Sequence, residues 1–443
     1  MRREVNRRQF IATTTSAGVG LALTAPAQSA EKPATLGGTP VRTKGYQSWP
    51  MVDAADEKAV LEVVRAGRWY RNRSVEQFEK TFAELNQAKY CVATSSGTSA
   101  LLTSLGALGI GPGDEVLVPP YTFMASVTVV LLHYAMPVFV DSDRGTFVMD
   151  PKKLEAAITD RTAAILPVHI GGTVADMDSI VAIAGKHNLP VVGDACQAHL
   201  AQWRNRSAGS WGTSGCYSFQ VSKNLCSGEG GAILTNDETM ANKCFAFHTC
   251  CRKRSGASPD FAYQGGRNTN VRMTEFQGAL LLSQMEGLQD RAKTRSDNAD
   301  YLSSMLREIP GVLPTRMYEG CTQNAYHLYM FRYQPEEFAG LSRNDFVRAL
   351  RAEGIPCSTG YGPLNKAGFI RDALNSRPYL KVYGKEAIEQ WAERNDCPEN
   401  DKLCEEAVWF MQNMFLGPRS DMDEIAEAIG KIRAHAPALA ART

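Results

Sequence analysis

Lys223 lies in the run Cys216-Tyr-Ser-Phe-Gln-Val-Ser-Lys223-Asn-Leu-Cys-Ser-Gly-Glu-Gly230-Gly231, between an aromatic segment and a glycine-rich turn. A primary amine in such a place gives up its proton once burial lowers its pKa, and then attacks an aldehyde or carries a proton. Most lysines are solvated surface groups, so this one needs company. Thr94-Ser-Ser-Gly97-Thr98-Ser99-Ala-Leu101 offers an anion site. A strand there runs into small hydroxyl residues that open a helix, whose first N–H groups are unpaired. Capping hydroxyls fit the same letters. Leu189-Pro-Val-Val-Gly-Asp194 brings a carboxylate to the carboxyl end of an apolar strand, where it either caps the next helix or pairs with a protonated ring nitrogen. Val118-Pro-Pro-Tyr-Thr-Phe123 ends a further strand on an aromatic that packs in a core or stacks on a flat heterocycle.

The elements that must position these residues follow from the apolar runs. Segments 90–94, 115–119, 137–141, 163–167, 190–194 and 231–235 are short, apolar and not alternating, the pattern of strands covered on both faces. Helix-length stretches at 99–108, 123–134 and 177–187 separate several of them. The expectation is an α/β protein whose large domain holds a mainly parallel sheet, with ligands at the carboxyl ends of its strands. A long amphipathic helix is expected from 274 to 306, and Pro310-Gly311 with Pro314 mark a boundary. The expected units are a large domain at 31–310, including an N-terminal arm, and a smaller α+β domain at 311–443.

Phosphate cradle, flat aromatic, strand-end Asp and lysine, in that order in one α/β unit, suit pyridoxal 5'-phosphate (PLP). A GxGxxG turn after the first strand and a Walker-type lysine are both missing, which disfavours nucleotide cofactors. With Ser96-Gly-Thr-Ser-Ala-Leu101, Gly193-Asp-Ala-Cys-Gln-Ala198, Ser218-Phe-Gln-Val-Ser-Lys223, Gly228-Glu-Gly-Gly231 and Asn270-Val-Arg-Met-Thr274, the chain resembles the DegT/DnrJ/StrS sugar aminotransferases, which are fold-type-I PLP enzymes. The resemblance implies that Lys223 holds the cofactor aldehyde and Asp194 the pyridine nitrogen. It places Phe123 on the ring, Gln197 beside the ring hydroxyl, and Gly97, Thr98, Ser99 and Ser218 on the phosphate. Asn270 would reach the phosphate of a partner subunit, so a homodimer with shared sites is implied. His327 and Tyr361 match substrate-side positions. Gln220 stands where many members carry His, and Gly360-Tyr361 where many carry His-Tyr. Together with Ser227-Gly-Glu-Gly-Gly231 and Gly67-Arg-Trp-Tyr70, these departures resemble the branch that aminates oxo-cyclitols or makes 3-amino-5-hydroxybenzoate. The implied reaction moves an amino group from L-glutamate or L-glutamine to an oxo-sugar or oxo-cyclitol. A PLP-dependent dehydratase or aromatising synthase, or a non-catalytic PLP-binding sensor, would use the same scaffold.

The remaining features bound the setting. A formal net charge of +1 over 443 residues argues against nucleic acid as a partner and against a polybasic membrane patch. Residues 1–30 combine Arg7-Arg8, an apolar run from Ile11 to Thr24, and Ala25-Pro-Ala-Gln-Ser-Ala30. That is the anatomy of a twin-arginine-like export signal, too short and polar for a stable membrane span, and it points to an exported or periplasmic protein; the alternative is a basic tail on a cytoplasmic one. The eleven cysteines show no CxxC or Cys/His metal spacing, so no metal is expected.

Overall fold

The computed structural model describes residues 31–442. The export-signal reading of residues 1–30 therefore lies outside the described residues. All six expected strands form: β1 (Tyr90–Thr94), β2 (Glu115–Val118), β3 (Met136–Phe139), β4 (Thr162–Ile165), β5 (Val192–Asp194) and, last in the chain, β7 (Gly231–Thr235). Between the last two the aromatic segment before Lys223 is itself a strand, β6 (Ser214–Ser218). The order β1-β7-β6-β5 continues through isolated parallel bridges (Ile165 to Val191, Val168 to Asp194) into β4-β2-β3. Only β7 runs against its neighbours; every other pairing is parallel. Each residue of β2, β3, β6 and β7 is buried, as sheets covered on both faces require.

The long helix expected at 274–306 is two helices, Glu275–Met285 and Leu288–Leu306, which divide at Gly287. The first helix opens with a capping box between Thr274 and Gln277. A second antiparallel sheet, β8 (Val312–Pro314), β9 (Leu328–Tyr333) and β10 (Ala407–Met411), anchors a separate apolar core. Leu36, Val41 and Tyr46 of the N-terminal arm pack against that second core, as do Leu302 and Leu306. The arm is held there by charge as well. Lys431 bonds the Thr39 carbonyl and, at 3.0 Å, Glu353, and both ends of that ion pair are fully buried.

Four helices between Gly368 and Glu406 leave the second core and lie on the first. They cover β3, the edge of the large sheet. Asn395 Oδ1 accepts the Phe139 N–H at 2.6 Å, Trp391 Nε1 donates to the Pro137 carbonyl at 2.7 Å, and Arg394 clasps buried Glu115 with two bonds of 2.7 and 2.8 Å. An edge strand whose N–H groups find side-chain acceptors offers no template to another chain. Among the described residues no helix is long and apolar enough to cross a membrane.

Candidate active site

The carboxyl ends of β1, β5 and β6 converge on one cleft. After β1 the chain turns at Ser96, whose Oγ accepts the Ser99 N–H at 3.0 Å and starts the helix Gly97–Ala107. Ser96 therefore caps the helix, and the Gly97 and Thr98 N–H groups take no partner among the described residues, as an anion site would need. Ser99 Oγ is tied to Ser95 and Ser96 at 3.0 and 2.9 Å, and Thr98 is half-buried beside it. Gly97 has no alternative. A Cβ there would stand 2.6 Å from Ser218 Cβ and 2.8 Å from Cys196 Sγ. Thus Gly97, at the helix start, packs directly against Ser218, at the end of β6, and against Cys196.

Asp194 ends β5 and is 6 % exposed. Its Oδ2 accepts from Ser126 Oγ at 2.7 Å, and Ser126 is itself bonded to Thr122 at 2.9 Å; its Oδ1 accepts the Cys196 N–H at 3.1 Å. This carboxylate is oriented by neutral donors and forms an ion pair with no cation among the described residues, which leaves its charge for a bound group. Ser126 is a residue the sequence reading missed. Its signal was position, one turn after Thr122 on the segment that carries Phe123.

Gln197 is buried and fixed in orientation: Oε1 accepts the Gly171 N–H at 2.7 Å, so Nε2 donates to the Tyr361 hydroxyl at 3.0 Å. Gly171 takes a left-handed φ of 63° to present that N–H, with Met330 pressed against the position a side chain would occupy. The contact unites Tyr361, 164 residues on, with the large-domain site. Burial and the nearby Asp194 charge push the Tyr361 phenol up to about 12, against the Gln197 bond, so it is a hydrogen-bond donor throughout neutral pH. Tyr121, also missed, packs edge-on to Tyr361 with ring centres 5.6 Å apart.

Lys223 follows β6 in a tight turn, with its N–H bonded to the Gln220 carbonyl at 2.8 Å. Gln220 Oε1 accepts from the Ser222 N–H and hydroxyl at 2.9 and 2.7 Å, so this departure from the family pattern stabilises the turn. Burial draws the Lys223 ammonium below the usual lysine range, opposed by Cys196 and by the Asp194 carboxylate. Behind Lys223 stand two buried imidazoles. Burial and the Lys223 charge hold His199 down to about 3, and the same two causes hold His327 well below the ordinary range.

Two residues stand apart. Phe123 is 53 % exposed, and Asn270 is exposed, accepting from Arg272 at 2.8 Å and bridging Thr249. Neither touches Lys223 or Asp194 within the described chain. Trp69, Tyr70, Met124 and Val221 are exposed apolar neighbours in sequence to site segments.

The residues present fit PLP: a cradle into which only glycine fits, free helix N–H groups, an unpaired buried carboxylate and a desolvated lysine. Comparison with known proteins agrees. The sequence pattern of the DegT/DnrJ/EryC1/StrS aminotransferase family matches residues 50–409. The chain is 35 % identical to the L-glutamine:2-deoxy-scyllo-inosose aminotransferase of Streptomyces lividus, over 93 % of this chain and 100 % of that one. It is also 35 % identical to the enzyme of the same name from Streptomyces kanamyceticus, over 91 % and 97 %. Among solved structures, 3-amino-5-hydroxybenzoic acid synthase superposes with a TM-score of 0.78 at 30 % identity, covering 89 % of this chain and 100 % of that one.

Proposed function

The chain belongs to the DegT/DnrJ/EryC1/StrS aminotransferase family, and from that premise we propose that it is a PLP-dependent enzyme which transfers the amino group of L-glutamine or L-glutamate to an oxo-cyclitol or related oxo-sugar. The observation that carries this is the meeting of Lys223, Asp194 and the Gly97 cradle at one strand-end cleft. The cofactor supplies, when bound, an aldehyde that takes up the amino group and an electron-poor ring that stabilises negative charge on the adjoining carbon. The N–H groups at the start of helix Gly97–Ala107, with Thr98, Ser99 and Ser218, would bind its phosphate. Asp194, set by Ser126 and the Cys196 N–H, would keep the ring nitrogen protonated. Gln197, its amide oriented by Gly171 and Tyr361, would lie beside the ring hydroxyl. Phe123 would stack on the ring. Lys223, as a free amine, removes the proton from the donor α-carbon; its lowered pKa leaves more of it unprotonated near neutral pH, which such a base needs. In the second half-reaction it returns a proton to the acceptor carbon, so a keto acid and a new amine are the products.

The relatives named for 2-deoxy-scyllo-inosose support a cyclitol acceptor and glutamine as donor. A homodimer is part of the reading: it would cover Phe123, Trp69 and Tyr70 and bring Asn270 to the neighbouring phosphate. Export through the Arg7-Arg8 leader is also proposed, with folding and cofactor loading before transport. Replacing both arginines by lysine and finding the location of the protein unchanged would refute that route.

The likeness to 3-amino-5-hydroxybenzoic acid synthase favours one second reading, an aromatising synthase. Mixing purified protein with L-glutamine decides between them. Conversion of the cofactor to its aminated form, followed by amination of 2-deoxy-scyllo-inosose, supports transfer; a cofactor spectrum unchanged by glutamine or glutamate overturns it.

A further inference from the structure

Asn224, the residue after Lys223, is 1 % exposed and was given no role by the site motifs. Its Nδ2 donates to the Ala325 carbonyl at 2.7 Å. A carbonyl only accepts, so the amide has one orientation and Oδ1 is turned to His327 Nδ1, 3.3 Å away. Because Oδ1 is also only an acceptor, Nδ1 must carry the ring hydrogen. A neutral imidazole has one N–H. His327 Nε2 is then a bare lone pair, and it takes no hydrogen bond from the described residues on a ring that is 3 % exposed. Three cationic or titratable groups face this ring: Lys223 on the same turn as Asn224, His199 beyond Gln197, and Arg295 on helix Leu288–Leu306. Burial and all three keep it uncharged. Arg295 is the most constant of them, a fully buried guanidinium tied through Nε to Gln412 at 2.8 Å and stacked near Trp49, with no carboxylate on it.

We infer that Asn224 is a positioning residue which locks His327 in the tautomer with Nε2 as a hydrogen-bond acceptor, and that His327 uses it to take a hydroxyl hydrogen of the polyhydroxylated acceptor. A neutral acceptor atom beside the reacting amine suits an uncharged ring bearing O–H groups. It gives nothing to a phosphate or carboxylate, which brings no hydrogen to share at neutral pH. The inference deepens the proposed function and rests on it for the identity of the ligand, while the tautomer is a property of the chain itself.

The test uses the full-length protein loaded with PLP and labelled with 15N-histidine, its His327 signals assigned by comparison with His327→Gln. Between pH 6 and 8 the expected signals are a protonated Nδ1 and an unprotonated Nε2. A protonated Nε2, or an imidazolium at pH 7, overturns the assignment with no acceptor present. Steady-state kinetics with L-glutamine and 2-deoxy-scyllo-inosose then address the ligand. Asn224→Leu raises KM for the cyclitol about tenfold, a single neutral hydrogen bond's worth. Asn224→Asp keeps the acceptor oxygen but stabilises the imidazolium, so its cyclitol KM worsens as pH falls from 8 to 6, where that of the wild type is flat. A rise confined to the glutamine KM overturns the acceptor role, since the hydrogen then comes from the donor amide. Wild-type protein that leaves the cyclitol unchanged refutes the functional reading, whereas the nitrogen signals decide Asn224 and His327 by themselves.

Discussion

Asp194 and Phe123 are expected to serve the same cofactor ring, one at its nitrogen and one on its face, yet the chain holds them differently. Asp194 is 6 % exposed and gripped by Ser126 and a backbone N–H; Phe123 is 53 % exposed and gripped by nothing on its outer side. The same contrast separates Gln197, bonded at both ends of its amide, from Asn270, which lies exposed on Arg272 and Thr249. The inner wall is built and polarised by a single chain before anything binds, the preorganisation that electrostatic catalysis relies on. The outer wall is left unfinished by one chain, and its exposed aromatic residues are the kind of patch that a second surface covers. On the homodimer proposed above, the inner side would be complete within one chain and the outer side would be completed by the partner.

Lys223→Ala tests the inner wall at its most sensitive point. Loss of the proton-transferring amine should lower turnover by at least about a hundred- to ten-thousand-fold, with the fold unchanged by circular dichroism. Substantial transamination by that variant would break the contrast outright. Asp194→Asn keeps the shape and the Ser126 contact but removes the charge; a lost charge-assisted bond of about 1.5–3 kcal/mol should reduce kcat/KM roughly 10- to 150-fold. Gly97→Ala drives a Cβ against Ser218 and Cys196, and unfolding in urea should show a loss of about 1–3 kcal/mol together with weakened PLP retention.

The outer wall should respond in the opposite sense. Phe123→Ala should leave monomer stability within about 0.5 kcal/mol of wild type, yet raise the PLP dissociation constant by roughly 2- to 12-fold through lost stacking. A large fall in stability would place Phe123 with the inner wall after all. The buried interior also has a pH signature. His169 and His248 are held down to about 4 and His199 to about 3, burial being the first cause in each. The unfolded chain, titrating near 6.5, binds protons that the folded chain refuses. Each of these histidines therefore costs ~1.4 kcal/mol of stability per pH unit as pH falls below about 6.5, levelling near 4 for His169 and His248 and near 3 for His199. Above pH 7 they contribute no slope. Urea midpoints that stay flat from pH 7 to 5 would contradict a neutral, desolvated interior.

Much of the large sheet was legible because its strands are apolar on both faces and separated by helix-length segments. What stayed hidden were directions and breaks. Residues 231–235 read as a strand, but the letters of a buried strand are the same whichever way it runs, and only its pairing with β1 and β6 shows it reversed. The pattern at 274–306 is helical on both sides of Gly287, so the division there was not visible in periodicity. Helices between Gly368 and Glu406 read as part of a small domain by position, whereas Trp391, Arg394 and Asn395 dock them on the large sheet. In the site, Lys223, Asp194 and the Gly97 turn were readable because a nucleophilic amine, a strand-end carboxylate and a glycine at a helix start are rare in combination. Ser126, Tyr121 and Asn224 were not, since a serine, a tyrosine and an asparagine in loops or helix starts carry no such signal.

The sequence by itself determined which functional groups the proposed chemistry can draw on: an amine for an aldehyde, a carboxylate for a ring nitrogen, and hydroxyls and a helix start for a phosphate. Those assignments depend on functional groups, and functional groups are written in the letters. Only the tertiary structure decided how each group is aimed. The Gln197 amide is turned by Gly171 and Tyr361, the Asp194 carboxylate by Ser126, and the His327 ring by Asn224, whose own amide is set by Ala325. A hydrogen bond is satisfied or lost within a few tenths of an ångström and a few tens of degrees. Orientation of that kind comes from residues between 26 and 164 positions apart, and no local pattern of letters contains it.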